Sequence, residues 1–246
     1  MQKILILVLF VTILPVYVFA ETYDKSKCDI METDENVMQK LTLKGIYKDN
    51  KTGIVCFIDN QSNKIIPIKN GKTDGIGKWY YESGALMQEM PYKNGKKEGI
   101  AKFYYESGAL EAEIPFKNDI KEGIGKSYYK SGALKIELPF KNDKAEGLKK
   151  EYYESGALIF ETPYKNGKAE GIGKRYYGSG ALMQEIPYKN DKVEGIGKSY
   201  KEDGRLFFTL TYQNDKVISG KCANGRKWTN AEINNFEKGL YVNCGR

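Results

Sequence analysis

A strict 24-residue repeat constrains this chain more than any other feature. Ser-Gly-Ala-Leu begins at Ser83, Ser107, Ser131, Ser155 and Ser179, and Pro91, Pro115, Pro139, Pro163 and Pro187 keep the same step. So do Gly75, Gly99, Gly123, Gly147, Gly171 and Gly195. Five full units run from Gly75 to Glu194. A sixth, Gly195 to Ile218, has decayed to Asp203-Gly204-Arg205-Leu206 with Thr211 in place of proline, and Pro67 with Ile76 marks a degenerate unit from about Lys51. Units of this size cannot bury an apolar face alone and must stack on their neighbours, so an elongated body replaces a single globular core.

Each unit reads as two strands and two turns. Ile76 to Glu82 carries Trp79, Tyr80 and Tyr81, residue types that favour strands, and Ser83-Gly84 supplies a turn in which glycine takes positive φ. The return strand runs from Ala85 to about Tyr92, and Asn94-Gly95 is a hairpin dipeptide leading into the next unit. A two-residue turn at Ser83-Gly84 predicts that Tyr81 faces Leu86 and Lys78 faces Glu89. The same opposition recurs as Lys102 with Glu113, Lys126 with Glu137, Lys150 with Glu161 and Lys174 with Glu185. Such cross-strand pairs contribute roughly 0.2–1 kcal/mol each. Alternation then places Leu86, Gln88, Met90 and Tyr92 on one face with Trp79 and Tyr81, and Tyr80, Lys78 and Glu89 on the other. Proline lacks a backbone donor, so each hairpin is expected to bend at Pro91 and its equivalents. The fold class is therefore all-β: an elongated antiparallel hairpin sheet with a short C-terminal capping helix.

The ends differ from the array. Lys3, the apolar stretch Ile4 to Leu14 and Val18-Phe19-Ala20 read as a signal peptide over residues 1–20, with Pro15 interrupting a run too short to span a bilayer. Residues 21–50 form an N-terminal cap region, 51–218 the repeats and 219–246 a C-terminal cap. In the last segment Thr229-Asn230-Ala231-Glu232 is a capping box, Trp228 and Ile233 occupy staple positions and Gly239 can stop the helix, predicting a helix from about Asn230 to Lys238. It would cover the last hairpin, whose open edge otherwise invites pairing. Cys28 and Cys56 precede the array and Cys222 and Cys244 follow it. Export makes disulfides the expected state, and of three connectivities the local pairs, one stapling each end, are favoured over zinc, which lacks any C-x-x-C spacing or histidine here.

The unit Glu-Gly-x-x-Lys-x-Tyr-Tyr-x-x-Gly-x-Leu, present at Glu98 to Leu110 and Glu170 to Leu182, resembles the MORN repeat variant of the bacterial YwqK-like antitoxin family. The resemblance covers about two thirds of the chain. It implies hairpin repeats that bind partners, in some members by neutralising a toxin, and by analogy with other MORN proteins a lipid-binding surface.

Chemistry is harder to place. Gly123-Ile124-Gly125-Lys126-Ser127 and Gly195-Ile196-Gly197-Lys198-Ser199 imitate a phosphate-binding loop, but Ile120 and Lys192 stand where its first glycine is required. With no histidine in the chain, Ser-His and Cys-His nucleophile pairs are excluded. The regular glutamates already have a role opposite lysines, so no catalytic residue, cofactor or metal is expected. Removing residues 1–20 takes away Lys3 alone, leaving 38 basic against 32 acidic residues, a net +6. Interleaved charges of this kind disfavour nucleic acid as a partner. Sites belong where units differ, and the position after Lys78 reads Trp79, Phe103, Ser127, Glu151, Arg175 and Ser199 down the array. Trp79, Phe103, Glu151 and Arg175 are therefore the candidate partner-binding residues. The expectation is a monomeric, exported binding scaffold, periplasmic, cell-surface or secreted, engaging a protein or surface ligand. A toxin-neutralising antitoxin and a membrane-lipid-binding module are the alternatives.

Overall fold

The computed structural model describes residues 28, 30–32, 53–58, 63–239 and 242–245, with the backbone alone for 30–32 and 56–58. The expected signal peptide lies outside these residues. One open sheet, built almost entirely of antiparallel hairpins, occupies nearly all of them. Strands Gly75–Tyr80 and Leu86–Lys93 make one hairpin, and Gly99–Tyr104 with Leu110–Lys117, Gly123–Tyr128 with Leu134–Lys141, Gly147–Tyr152 with Leu158–Lys165 and Gly171–Tyr176 with Leu182–Lys189 repeat it. Gly195–Tyr200 with Leu206–Gln213 continues the series, and Lys216–Cys222 adds the last strand. Before the array, Gly53–Ile58 pairs with Asn63–Lys69, and Ile54 faces Pro67 as Ile76 faces Pro91. Ile30–Glu32 adds a parallel strand beside Gly53–Ile58.

Two turn chemistries alternate along the chain. At Asn94-Gly95 both residues have positive φ, 52° and 86°, the type I′ requirement, and where aspartate replaces glycine, as at Asn118-Asp119, it adopts φ 72°. The chain reverses there into a two-residue strand such as Lys96–Lys97. The other turn differs from the sequence expectation. It spans three residues, Glu82 to Gly84: the Gly84 N–H donates to the Tyr81 carbonyl (2.9 Å), the Tyr81 N–H donates to the Ala85 carbonyl (2.8 Å), and Gly84 has φ 84°. Tyr80, not Tyr81, therefore pairs with Leu86. A bulge then restores the register, so that Trp79 faces Gln88 and Lys78 faces Glu89. The extra residue in the bulge, Met87, rotates Leu86 onto the face of Tyr80, where the two pack with Ile65. Leu86 thus belongs to the Lys–Glu face rather than to that of Trp79.

The expected bend at proline is also corrected. Pairing of Pro91 with Ile76 is regular, and the irregularity falls on the strand at its other side, which is broken between Lys96–Lys97 and Gly99–Tyr104. The Glu98 N–H at that break donates to the Pro91 carbonyl (3.0 Å), and Gly99 at φ 114° lies against the ring, so that a Cβ would stand 3.2 Å from Pro91 Cγ. The interruption therefore faces the side on which proline has no N–H to offer, and glycine makes room for its ring.

Units are joined by hydrogen bonds that reach only to the next unit. Glu89 accepts from the Tyr104 hydroxyl (2.8 Å), and Glu113, Glu137, Glu161 and Glu185 accept from Tyr128, Tyr152, Tyr176 and Tyr200 at 2.7–3.0 Å. At the Asn turns the carboxylate of Glu98 accepts from the Asn118 N–H (2.8 Å), and Glu122, Glu146, Glu170 and Glu194 repeat the contact. The Lys–Glu ladder is in register along the array, with ion pairs at 3.7 Å for Lys78–Glu89, 3.8 Å for Lys126–Glu137 and 3.0 Å for Lys198–Glu185. Partly exposed pairs of this kind contribute at most about 1 kcal/mol each. Buried apolar residues concentrate at the two ends. Val55, Ile66, Ile68, Trp79, Met90 and Ala101 pack together at one, and Phe208, Leu210, Cys222, Trp228, Val242 and Cys244 at the other.

The C-terminal helix, Asn230–Glu237, has the expected capping box, with the Thr229 hydroxyl accepting from the Glu232 N–H (3.2 Å) and Glu232 from the Thr229 N–H (2.9 Å). Trp228 is buried between the last strand and the helix, its ring 5.0 Å from Phe208 and 5.6 Å from Phe236. Cys222 and Cys244 form a disulfide across 22 residues. Cys28 is disulfide-bonded as well. The side chain of Cys56, its expected partner, lies outside the described residues.

Candidate functional site

Strand pairing places the variable positions in one row across the sheet. Trp79, Phe103, Ser127, Glu151, Arg175 and Ser199 alternate with Gln88, Ala112, Ile136, Phe160, Gln184 and Phe208, each residue directly opposite the next. Adjacent strands lie about 4.8 Å apart, so successive variable positions are separated by about 10 Å. The residues singled out by sequence thus share a face and a line but do not converge on a pocket. They also differ in what they offer. Trp79 is 8% exposed and belongs to the N-terminal core, Ser199 is buried, and Phe103, Ser127, Glu151 and Arg175 are half-buried.

The scaffold beneath the row is regular. Aromatic residues one row away fold over glycines: a Cβ on Gly125 would stand 2.8 Å from Phe140 Cε2, and one on Gly173 would stand 2.7 Å from Tyr188 Cε2. The fourth full unit breaks this pattern. Lys149 occupies the place taken by Gly77, Ala101, Gly125, Gly173 and Gly197, while Thr162 stands where the others carry Met90, Ile114, Leu138, Ile186 and Leu210. Phe160 replaces the Gln, Ala or Ile of its first four counterparts. Comparison of unit against unit would have found Lys149 and Thr162, which depart at positions the other units keep small or apolar, whereas Phe160 stands at a position that varies throughout the array.

These departures alter the local electrostatics. Lys149 Nζ lies 2.8 Å from Glu151 Oε1, and the Arg175 guanidinium stacks on the Phe160 ring at 5.3 Å from its centroid. Arg175 Nε and the Ser127 hydroxyl are enclosed and have no hydrogen-bond partner. Burial raises the Tyr188 hydroxyl above its ordinary value, with Tyr164, Asp215 and Glu151 adding to the effect and Lys149 opposing it. On the opposite face the Tyr128, Tyr152 and Tyr176 hydroxyls are pushed up to about 12, chiefly by burial and then by donation to Glu113, Glu137 and Glu161. A line of aromatic, cationic and anionic side chains on a stiff sheet suits non-covalent recognition.

That second face carries a feature the sequence reading did not anticipate. Ile76, Ile100, Ile124, Leu148, Ile172 and Ile196, each next to a strand-opening glycine, are 39–60% exposed and form an aliphatic ridge beside the Lys–Glu ladder. The signal was present in the strict repetition of an aliphatic residue after glycine.

No curated protein matches the chain. The family described as MORN repeat variant matches residues 73–94, 97–118, 121–142, 145–166 and 169–190. The windows fall on successive hairpins at the period of the sheet, so residues 73–190 match this repeat five times in succession.

Proposed function

We propose that this chain is an exported, non-enzymatic scaffold that binds a protein or surface ligand along the row from Trp79 to Ser199. The observation that carries the reading is the contrast between that row and its surroundings. Turns, ladder charges and tyrosine hydrogen bonds repeat from unit to unit, while the cross-sheet line from Trp79 to Ser199 changes residue between neighbouring units, as does the bulge position from Met87 to Phe207. Repeat proteins keep stacking residues constant and vary an extended surface for recognition. The Cys222–Cys244 disulfide is consistent with an oxidising compartment.

The test is site-specific photo-crosslinking in the native host. A photoreactive residue at Phe103 or Glu151 is expected to yield a discrete adduct, and one at Lys126, on the other face, is expected to yield none. Equal labelling from both faces, or no adduct from the row, contradicts the reading. An antitoxin is a special case in which the adduct is a toxin, and a lipid module is one in which the adduct partitions with membrane lipid.

A further inference from the structure

From the arrangement around Phe160 we infer that the row recognises a polypeptide segment bearing a side-chain carboxylate, with Arg175 as its anchor; this rests on the binding role proposed above. Three arginines are described. Arg205 is paired with Asp203 at 2.6 Å and Arg226 with Glu232 at 3.0 Å. Arg175 alone among them has neither an ion-pair nor a hydrogen-bond partner, and its contact is the ring face of Phe160. Burying a charged group is costly unless it is compensated, and a guanidinium carries five donors and no acceptor. Half-buried against the Phe160 ring, its Nε is enclosed without a partner, and no ion pair or hydrogen bond engages its terminal nitrogens.

The nearest acid on the same row is Glu151, which faces Phe160 from the other side. Lys149 holds that carboxylate at 2.8 Å, one place along the strand's own face, so Glu151 is already neutralised. Lys149 does this in the one full unit that lacks the usual glycine or alanine at its position. The cluster therefore presents a matched pair, an aromatic ring and an unmatched cation in that order. A carboxylate from a partner supplies acceptors to the two terminal nitrogens in a planar, two-point geometry that lysine cannot reproduce. Arginine and aromatic side chains are the residue types enriched at the energetic centres of protein interfaces.

The test uses the intact, oxidised chain and a displayed library of random peptides. Selection on the wild-type protein is expected to enrich peptides containing Asp or Glu next to an apolar residue. Their affinity should fall about 10- to 100-fold on Arg175→Gln, recover only in part on Arg175→Lys, and stay within about twofold on Lys126→Ala on the other face. Circular dichroism and melting of each variant establish that it is folded. Enriched peptides without acids, or acidic peptides that bind Arg175→Gln as tightly as wild type, overturn the acidic-partner inference. Either result leaves the scaffold reading standing, since the chain still binds. A library that enriches nothing also overturns this inference, while the scaffold reading is decided separately by the crosslinking pattern.

Discussion

Removing the C-terminal disulfide should loosen one end of the array and leave the rest untouched. Cys222 and Cys244 are buried, and their bond closes a 22-residue separation containing the helix Asn230–Glu237. Loop-closure entropy for that length is worth about 3 kcal/mol, subject to native strain. In Cys222→Ser, Cys244→Ser the serine at 222 can still accept from the Trp228 indole N–H, which now points at Cys222 Sγ at 3.2 Å, so the loss is mainly that of the constraint. Because each unit contacts only its neighbours, the cost should stay local. Hydrogen exchange read by mass spectrometry is the suitable assay. A loss of about 3 kcal/mol in the opening free energy predicts exchange about 100-fold faster. The change is expected in Lys216–Cys222 and in the helix, with residues 99–165 unchanged. The freed final strand, with Ile218 already 53% exposed, should also promote edge-to-edge association seen by size-exclusion chromatography. Unchanged protection at the C-terminal end, or an equal loss along the whole array, would refute the argument that the bond secures a cap.

Further expectations follow from the hydrogen bonds and turns. The Tyr128, Tyr152 and Tyr176 hydroxyls are raised from 10.0 to about 12, so their contribution is complete below pH 10 and is lost as pH rises through about 12; spectroscopic tyrosinate titration should coincide with unfolding of the central units. Glu232 is lowered from 4.5 to about 2, first by Arg226 and then by the Thr229 backbone, so its contribution is present above pH 4.5 and lost as pH falls through about 2. The stability difference between wild type and Glu232→Gln should accordingly shrink to nothing across that window, as thermal melts at stepped pH will show. Gly171→Ala should cost about 1–3 kcal/mol, because φ is 108° and the new Cβ meets Pro163 Cγ at 3.2 Å. Adding Pro163→Ala should relieve the contact but not the backbone strain, and full recovery in urea titration would contradict that division.

Much of this architecture could be read from the sequence because the repeat fixes hairpin length and the ladder charges fix register. Lys78 stands opposite Glu89 with either turn because two register shifts cancel. The turn has three residues where two were expected, and the bulge at Met87 returns the missing residue three positions later. Nothing in composition distinguishes these alternatives, since Gly84 accepts positive φ in either turn. The price of the cancellation is the misassigned face of Leu86. The role of Pro91 is not legible within its own hairpin, because its missing donor faces the break beside Gly99 in the next one. The contacts of Tyr104 with Glu89 and of Asn118 with Glu98 likewise join residues in different units, which reading a single unit could not reveal. The variable row was legible as variation, but its local character was not. Burial of Trp79 and stacking of Arg175 on Phe160 depend on which strand lies next to which.

The central claim is that one face of a uniform scaffold carries recognition, and the most direct measurement compares partner binding by two triple variants of equal size. In Phe103→Ser, Glu151→Ser, Arg175→Ser the row is erased at its half-buried positions. In Lys102→Ala, Lys126→Ala, Lys174→Ala the opposite ladder is thinned instead. With the crosslinked partner as ligand and both variants shown to be folded by circular dichroism, the first should lose at least about 100-fold in affinity and the second less than about threefold, since a few central residues dominate binding. Retention of binding by the row variant, or equal losses from both, would contradict the account.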